Sequence, residues 1–299
     1  MLAKRFALFI LKGRFNAYIL AVLFSALPIL SWVSPVIVGL VTLRKGATEG
    51  LVVLMWSALV GVVMGVNGNW MLAVTMVGFG SIPVWGLALL LKRTQNWSLV
   101  LQLIAVYAIA ALTIVHFALP DLHQTWMKMI MAKLPGLEKR VGVTLTAAET
   151  KLLANRAASV VGGLQVAGAA VTTLIELFFA RGLESAAFQP GLLSKEARHV
   201  QMNIIASVIA VGLFVLTGSG YAFTYSLMPI VAMPFVLSGV SVAHDLLARK
   251  GTTPIMFCFF YTLVVLMLVF VPPFLLVFAL LALFDVFLNF RLRLASPAS

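Results

Sequence analysis

Negative charge is scarce in this chain: nine Asp and Glu stand against twenty-one Lys and Arg, and only 10% of the residues are charged. A soluble globular domain carries about a quarter charged residues, so an ordinary solvated surface around a core is excluded. One cysteine, Cys258, rules out an intrachain disulfide and a cysteine metal site, and its apolar neighbours predict a packed small hydrophobe. Period-2 alternation over strand lengths is missing, which excludes a transmembrane barrel. A Gly-x-x-x-x-Gly-Lys-Ser/Thr loop is missing too, so the chain brings no nucleotide site of that type. Neither His-Glu-x-x-His nor Gly-x-Ser-x-Gly occurs. No enzymatic role, cofactor or metal is expected.

What is present is apolar. The chain is 62% hydrophobic, with mean hydropathy +1.09. About ten apolar stretches follow one another, clearest at 51–66, 70–91, 100–119, 157–180, 204–216, 226–243, 255–271 and 274–288. Roughly 20 apolar residues in a helix cross roughly 30 Å of hydrocarbon, and only helices or closed barrels satisfy their backbone in lipid. The expected fold is all-α: a polytopic transmembrane bundle of about ten spans forming one integral membrane domain over 1–299.

Residues 1–12 are too short to span and carry charge on one side, which predicts an amphipathic helix in the cytoplasmic interface. No cleaved leader is expected, because Lys12 and Arg14 interrupt the apolar run. The first span is 15–32; the 35–43 stretch is half the usual length and reads either as a short span or as a re-entrant piece. With the N-terminus inside, ten crossings put fifteen of the twenty-one Lys and Arg on the cytoplasmic side and leave the C-terminus inside as well. The basic clusters therefore read as orientation signals in a bacterial inner membrane, and nucleic-acid binding is excluded. The outer loop, 120–151, carries Trp126, Met127, Ile130, Met131 and Leu134 at helical spacing, predicting a surface helix. Thr146 and Glu149 read as a capping box opening the next helix.

Polar residues inside apolar runs are the functional candidates. Glu176, His244, Asp245, Asp285 and Asn289 fall in the inner third of the membrane on this topology. They read either as an internal salt-bridge network or as a proton or ion relay or coupling surface. Asn155, Arg156, Gln165 and Tyr221, near Asn67, Asn69 and Tyr225, would suit a small polar or anionic ligand at the outer face; interfacial snorkelling and an aromatic belt explain them equally. Ala17, Ala21 and Ser25 form a small-residue stripe, for packing within the bundle or for docking a partner membrane protein. Gly78 and Gly80 interrupt a span, and broken helices line binding sites in transporters, making 78–83 a secondary candidate. His116 reads as a satisfied buried histidine.

Three stretches resemble the YybS-like family of bacterial membrane proteins, a domain of unknown function. Phe9-Ile-Leu-Lys-Gly-Arg14 with Leu40-Val-Thr-Leu-Arg-Lys-Gly46 looks like its opening. Ala180-Arg181 through Gln189-Pro-Gly191 to Lys195-Glu196 is similar to its central motif, with Gln-Pro-Gly-Leu-Leu where the family usually has Asn-Pro-Gly-Gly-Phe. Leu237-Ser-Gly-Val-Ser-Val-Ala-His244 and Leu283-Phe-Asp-Val-Phe-Leu-Asn-Phe-Arg-Leu-Arg293 look like its closing helices. That family is distantly similar to the S components of energy-coupling-factor transporters, which bind a vitamin or metal ion near the outer face. The resemblance implies a small-molecule binding or transport subunit, energised by a separate membrane coupling subunit with its own ATPases. The rival expectation is a non-transporting scaffold that binds another protein. A third has Glu176, His244 and Asp285 as acid and base of an intramembrane enzyme.

Overall fold

The computed structural model describes residues 2–68, 75–142 and 144–288. The chain is all-α: 88% helical, with no strand among the described residues. We label thirteen helices in chain order: α1 Leu2–Lys12, α2 Arg14–Ala26, α3 Val33–Lys45, α4 Ala47–Val66, α5 Ile82–Thr94, α6 Trp97–Ala118, α7 Pro120–Val141, α8 Ala147–Phe188, α9 Leu192–Arg198, α10 Ile204–Leu216, α11 Ala222–Arg249, α12 Pro254–Phe270 and α13 Leu276–Leu288. A π-helical turn, Thr75–Ser81, leads directly into α5. The residues form two compact units, Met1–Ile104 with Ala169–Val200, and Ala105–Gly168 with Gln201–Ser299.

In the first unit, α1 and α2 meet at 113° across Gly13, whose backbone is extended. Ala7 and Ile10 are buried beneath α1 while Lys4, Arg5 and Phe9 stay exposed, as the charge pattern of 1–12 requires. The Asn16 side-chain amide donates to the Phe9 carbonyl at 3.0 Å, tying the bend. Pro28 stops α2 early, and a run of tight turns carries the chain to α3.

The 35–43 stretch becomes the interior of unit 1. Ser34 through Leu43 are buried without a break, and α3 packs against α2, α4 and α5. A helix apolar on every side belongs inside a bundle. The chain reverses at Gly46, φ +104°, a left-handed conformation that favours glycine. Gly50 then passes so close to Thr42 that a Cβ there would sit 2.0 Å from its Oγ1.

In the second unit, glycine again permits close crossing. A Cβ at Gly239 of α11 would lie 1.8 Å from the Phe278 carbonyl oxygen of α13, and one at Gly163 of α8 would lie 2.0 Å from the Ser226 carbonyl oxygen of α11. Residues 120–141 are a single amphipathic helix, with Trp126, Met127, Ile130 and Leu134 half-buried along one face. Met131, expected on that face, is exposed. The capping box forms: the Glu149 carboxylate accepts from the Thr146 amide at 2.8 Å, and Thr146 Oγ1 accepts from the Glu149 amide at 3.3 Å.

Among the described residues, five helical stretches are long and apolar enough to cross a membrane: Ala47–Val66, Met76–Thr94, Trp97–Ala118, Ala147–Phe188 and Phe223–Arg249. Taking the bent α1–α2 pair as one span makes six. Apolar helices Ile204–Leu216, Pro254–Leu268 and Pro273–Leu288 are shorter than these five. About ten apolar runs therefore do not become ten span-length helices: Pro28, Gly46 and Gly220 end or turn the chain inside or beside them. Much of the outward surface is oily. Ile205, Val215, Phe259 and Val277, all more than 60% exposed, are typical, and apolar surface on this scale is costly in water.

Candidate functional site

Unit 1 carries two polar constellations in its interior. The first joins four helical segments. Ser25 of α2 donates to Ser34 of α3 at 2.8 Å, and Ser34 donates to Ser57 of α4 at 3.0 Å. Ser57 also shares hydrogen bonds with Ser25 at 3.3 Å and with Ser81, the last residue of the π-helical turn, at 3.0 Å. All four hydroxyls are buried. Buried hydroxyls require partners, and here each meets that need with another serine. The Ala17–Ala21–Ser25 stripe faces this junction: its residues are at most 4% exposed, so the stripe is spent on packing inside the unit.

The second constellation centres on Arg181 of α8. Its Nη1 donates to Glu184 Oε2 at 2.7 Å, its Nε to Glu196 Oε2 at 3.1 Å, and its Nη2 to Gln95 Oε1 at 2.5 Å and to Glu196 Oε1. The Trp97 indole donates to Glu196 Oε2 at 3.0 Å. A planar guanidinium suits such a fork, and it clamps α9 to α8 and to the α5–α6 turn.

Glu176 lies on α8 just before Arg181 and takes part in neither constellation. It is 3% exposed, and its Oε2 has no hydrogen-bond partner among the described residues. Thr173, one turn before it, donates to the Phe79 carbonyl in the π-helical turn. Ala180, one turn after, abuts Gly39 of α3, where a Cβ would come within 2.9 Å of the Ala180 Cβ and 3.0 Å of Val84.

One end of unit 1 is strongly basic. An open groove of about 580 Å³ is lined by Arg5, Leu8, Phe9, Leu11, Lys12 and Phe188. The Arg44 guanidinium sits 4.0 Å over the Phe188 ring, Lys92 Nζ donates to the Arg44 carbonyl, and Arg14 pairs with Glu49 at 2.6 Å. Contacts thus gather Arg5, Lys12, Arg14, Arg44 and Lys92 at a single end.

In unit 2 the residues read as an outer pocket are separately engaged. Asn155 bonds His123 of α7 at 2.9 Å, and Arg156 lies 5.3 Å over the Tyr225 ring. Gln165 and Tyr221 are exposed, with Tyr221 at 74%. Asn155 and Arg156 are thus held by α7 and α11, and no hydrogen bond or ring contact among the described residues draws Gln165 or Tyr221 to them. Among the inner polar residues, Asp245 pairs with Arg249 at 2.7 Å, one helical turn on. His244 shares a hydrogen bond with the Tyr261 hydroxyl at 2.9 Å. Asp285 is fully buried and accepts from Gln201 at 3.3 Å. Asn289 and Asn69 lie outside the described residues. Two expectations are corrected: Cys258 is exposed, and His116 is exposed with its ring 5.1 Å from that of Phe223.

Among the described residues, no group of three or more His, Cys, Asp or Glu is placed to hold a metal ion. No family model, curated protein or solved structure matches the chain.

Proposed function

We propose that this chain is a multi-spanning protein of the bacterial inner membrane, with both termini inside, and that it binds or moves a small molecule. The reading takes it as a membrane subunit like an S component, with energy supplied by a separate coupling subunit and its ATPases. The observation that carries the reading is buried polarity in unit 1: four joined serines and Glu176 sit within a largely apolar interior. Buried polar and ionisable groups inside spans are costly to insert and mark substrate or ion routes. The π-helical turn at 75–81 falls on the glycine-interrupted stretch and contributes Ser81 to that interior, and π-bulges concentrate at functional sites.

Orientation draws support from charge. Arg5, Lys12, Arg14, Arg44 and Lys92, expected from the sequence to face the cell interior, share one end of unit 1. The amphipathic α1 would lie there on the anionic inner leaflet.

Purified protein challenged with vitamins, nucleobases and divalent metals should show a concentration-dependent rise in Tm with at least one class, by mass action. A flat response across the panel removes the small-molecule reading. Recovery of one stoichiometric protein partner from native membranes, with no ATPase pair, would support the scaffold instead. Burial of the Ala17–Ala21–Ser25 stripe means a partner of either kind engages another face.

A further inference from the structure

Unit 1 has four acidic residues among its described positions, and three have cationic partners: Glu49 with Arg14, and Glu184 and Glu196 with Arg181. Glu176 is the exception, and it is the most deeply placed in an apolar span.

The elements around it offer no relief. Glu176 shares a helical face with Thr173 and Ala180, which directs it at the seam made by α3, the π-helical turn and α5. Residues 34–43 and 75–91, which form that seam, contain no titratable side chain. Neither do 97–104 of α6 nor 50–66 of α4. On α2 the titratable groups are Tyr18 and Arg14, the latter paired with Glu49. Arg44, Lys45, Lys92 and Arg93 stand at the far ends of α3 and α5, and Arg181, the next charge along α8, is saturated by Glu184, Glu196 and Gln95. Among the described residues, none forms an ion pair with Glu176.

A carboxylate so isolated is unstable as a bare anion, so it must carry a small cation. A metal ion would need several oxygen ligands, yet Oε2 has no hydrogen-bond partner among the described residues. A proton needs none. We propose that Glu176 is a proton-binding site inside the membrane, and that its occupancy is coupled to the packing of the π-helical turn Thr75–Ser81. The coupling is direct. Loss of the proton leaves a charge facing an apolar seam, and the only irregular backbone on that seam is the π turn held by Thr173. The ionised protein must repack that turn or admit water beside it. In transport terms this is a proton-coupled gate, an inference that rests on the membrane-transport reading.

The test uses the full chain in phospholipid nanodiscs, with infrared difference spectroscopy for the carboxylic-acid carbonyl stretch and hydrogen exchange over 75–81, both across pH. In the wild type, an acid carbonyl band present at neutral pH should disappear on alkalinisation as exchange in 75–81 rises. Glu176→Gln, a neutral isostere, should remove the band and make exchange in 75–81 independent of pH. Glu176→Asp should keep the band at a shifted frequency, which serves if the glutamine variant does not fold. A band that survives Glu176→Gln or is unmoved by Glu176→Asp, or exchange with the same pH dependence in wild type and Glu176→Gln, overturns the proposal. So does a titration displaced by exchanging sodium for choline, since that identifies a metal cation as the occupant. The ligand panel at fixed pH stands apart: a silent Glu176 in a protein that still binds a small molecule defeats only this inference.

Discussion

Gly239 of α11 and the backbone carbonyl of Phe278 in α13 are in direct contact, with no room for even one methyl group between the helices. Gly239→Ala should therefore force α13 away, at a cost of about 1–3 kcal/mol or more for an overpacked contact. Gly163→Ala should behave alike against Ser226, whereas Gly162→Ala, which meets nothing within 4 Å, should be neutral or slightly stabilising. Thermal unfolding of the three variants in one detergent checks this ordering.

The four serines make a graded prediction. Ser57 bonds three others and Ser81 only one in the cluster. Ser57→Ala should cost more than Ser81→Ala, each within about 1–3 kcal/mol for stranding a buried hydroxyl. Equal losses would show that the hydroxyls act independently.

Arg181 holds two carboxylates whose side chains are 14% and 11% exposed. Arg181→Ala leaves both without their cation and should cost about 3–5 kcal/mol. Arg181→Lys should restore only part, because an ammonium cannot reproduce the fork. Pairing Arg181→Met with Glu196→Gln should recover stability over Arg181→Met alone. The connection 189–200 should become protease-sensitive in the alanine variant first.

Glu149 supplies a pH effect outside the apolar stretch 157–180. Hydrogen bonds from the Thr146 backbone and then its side chain hold the Glu149 carboxyl below its ordinary value. A lowered folded-state pKa gives stability that is present above the unfolded value and is lost as pH falls through the folded one. The first turn of α8 should therefore fray in acid, and Glu149→Gln should fray at neutral pH with little further acid response. Amide exchange at 146–150 reports both.

Composition alone made the all-α class legible, because so much apolar surface with so few charges leaves a helix few alternatives. The cap at Thr146 and the amphipathic faces of α1 and α7 were equally readable, since each is a local pattern within one or two turns. The interior of unit 1 was not. Ser34, Ser57 and Ser81 are small residues on different helices, and nothing local marks a hydroxyl whose partner lies 23 or more residues away. Gln95 and Glu196 were missed for the same reason: their bonds to Arg181 depend on how helices pack. Span counting overshot because apolar runs such as 35–43 look alike whether lipid or neighbouring helices surround them.

The central claim is that lipid covers these helices and that the basic end faces the cell interior. In a chain whose exposed Cys258 has been replaced by serine, single cysteines at Arg93 and Lys139 can be challenged in intact cells with a membrane-impermeant maleimide. The account predicts labelling of Lys139→Cys from outside, and of Arg93→Cys only after the membrane is opened. Labelling of Arg93→Cys in sealed cells, or protein that stays in the supernatant of a detergent-free high-speed spin, would contradict it.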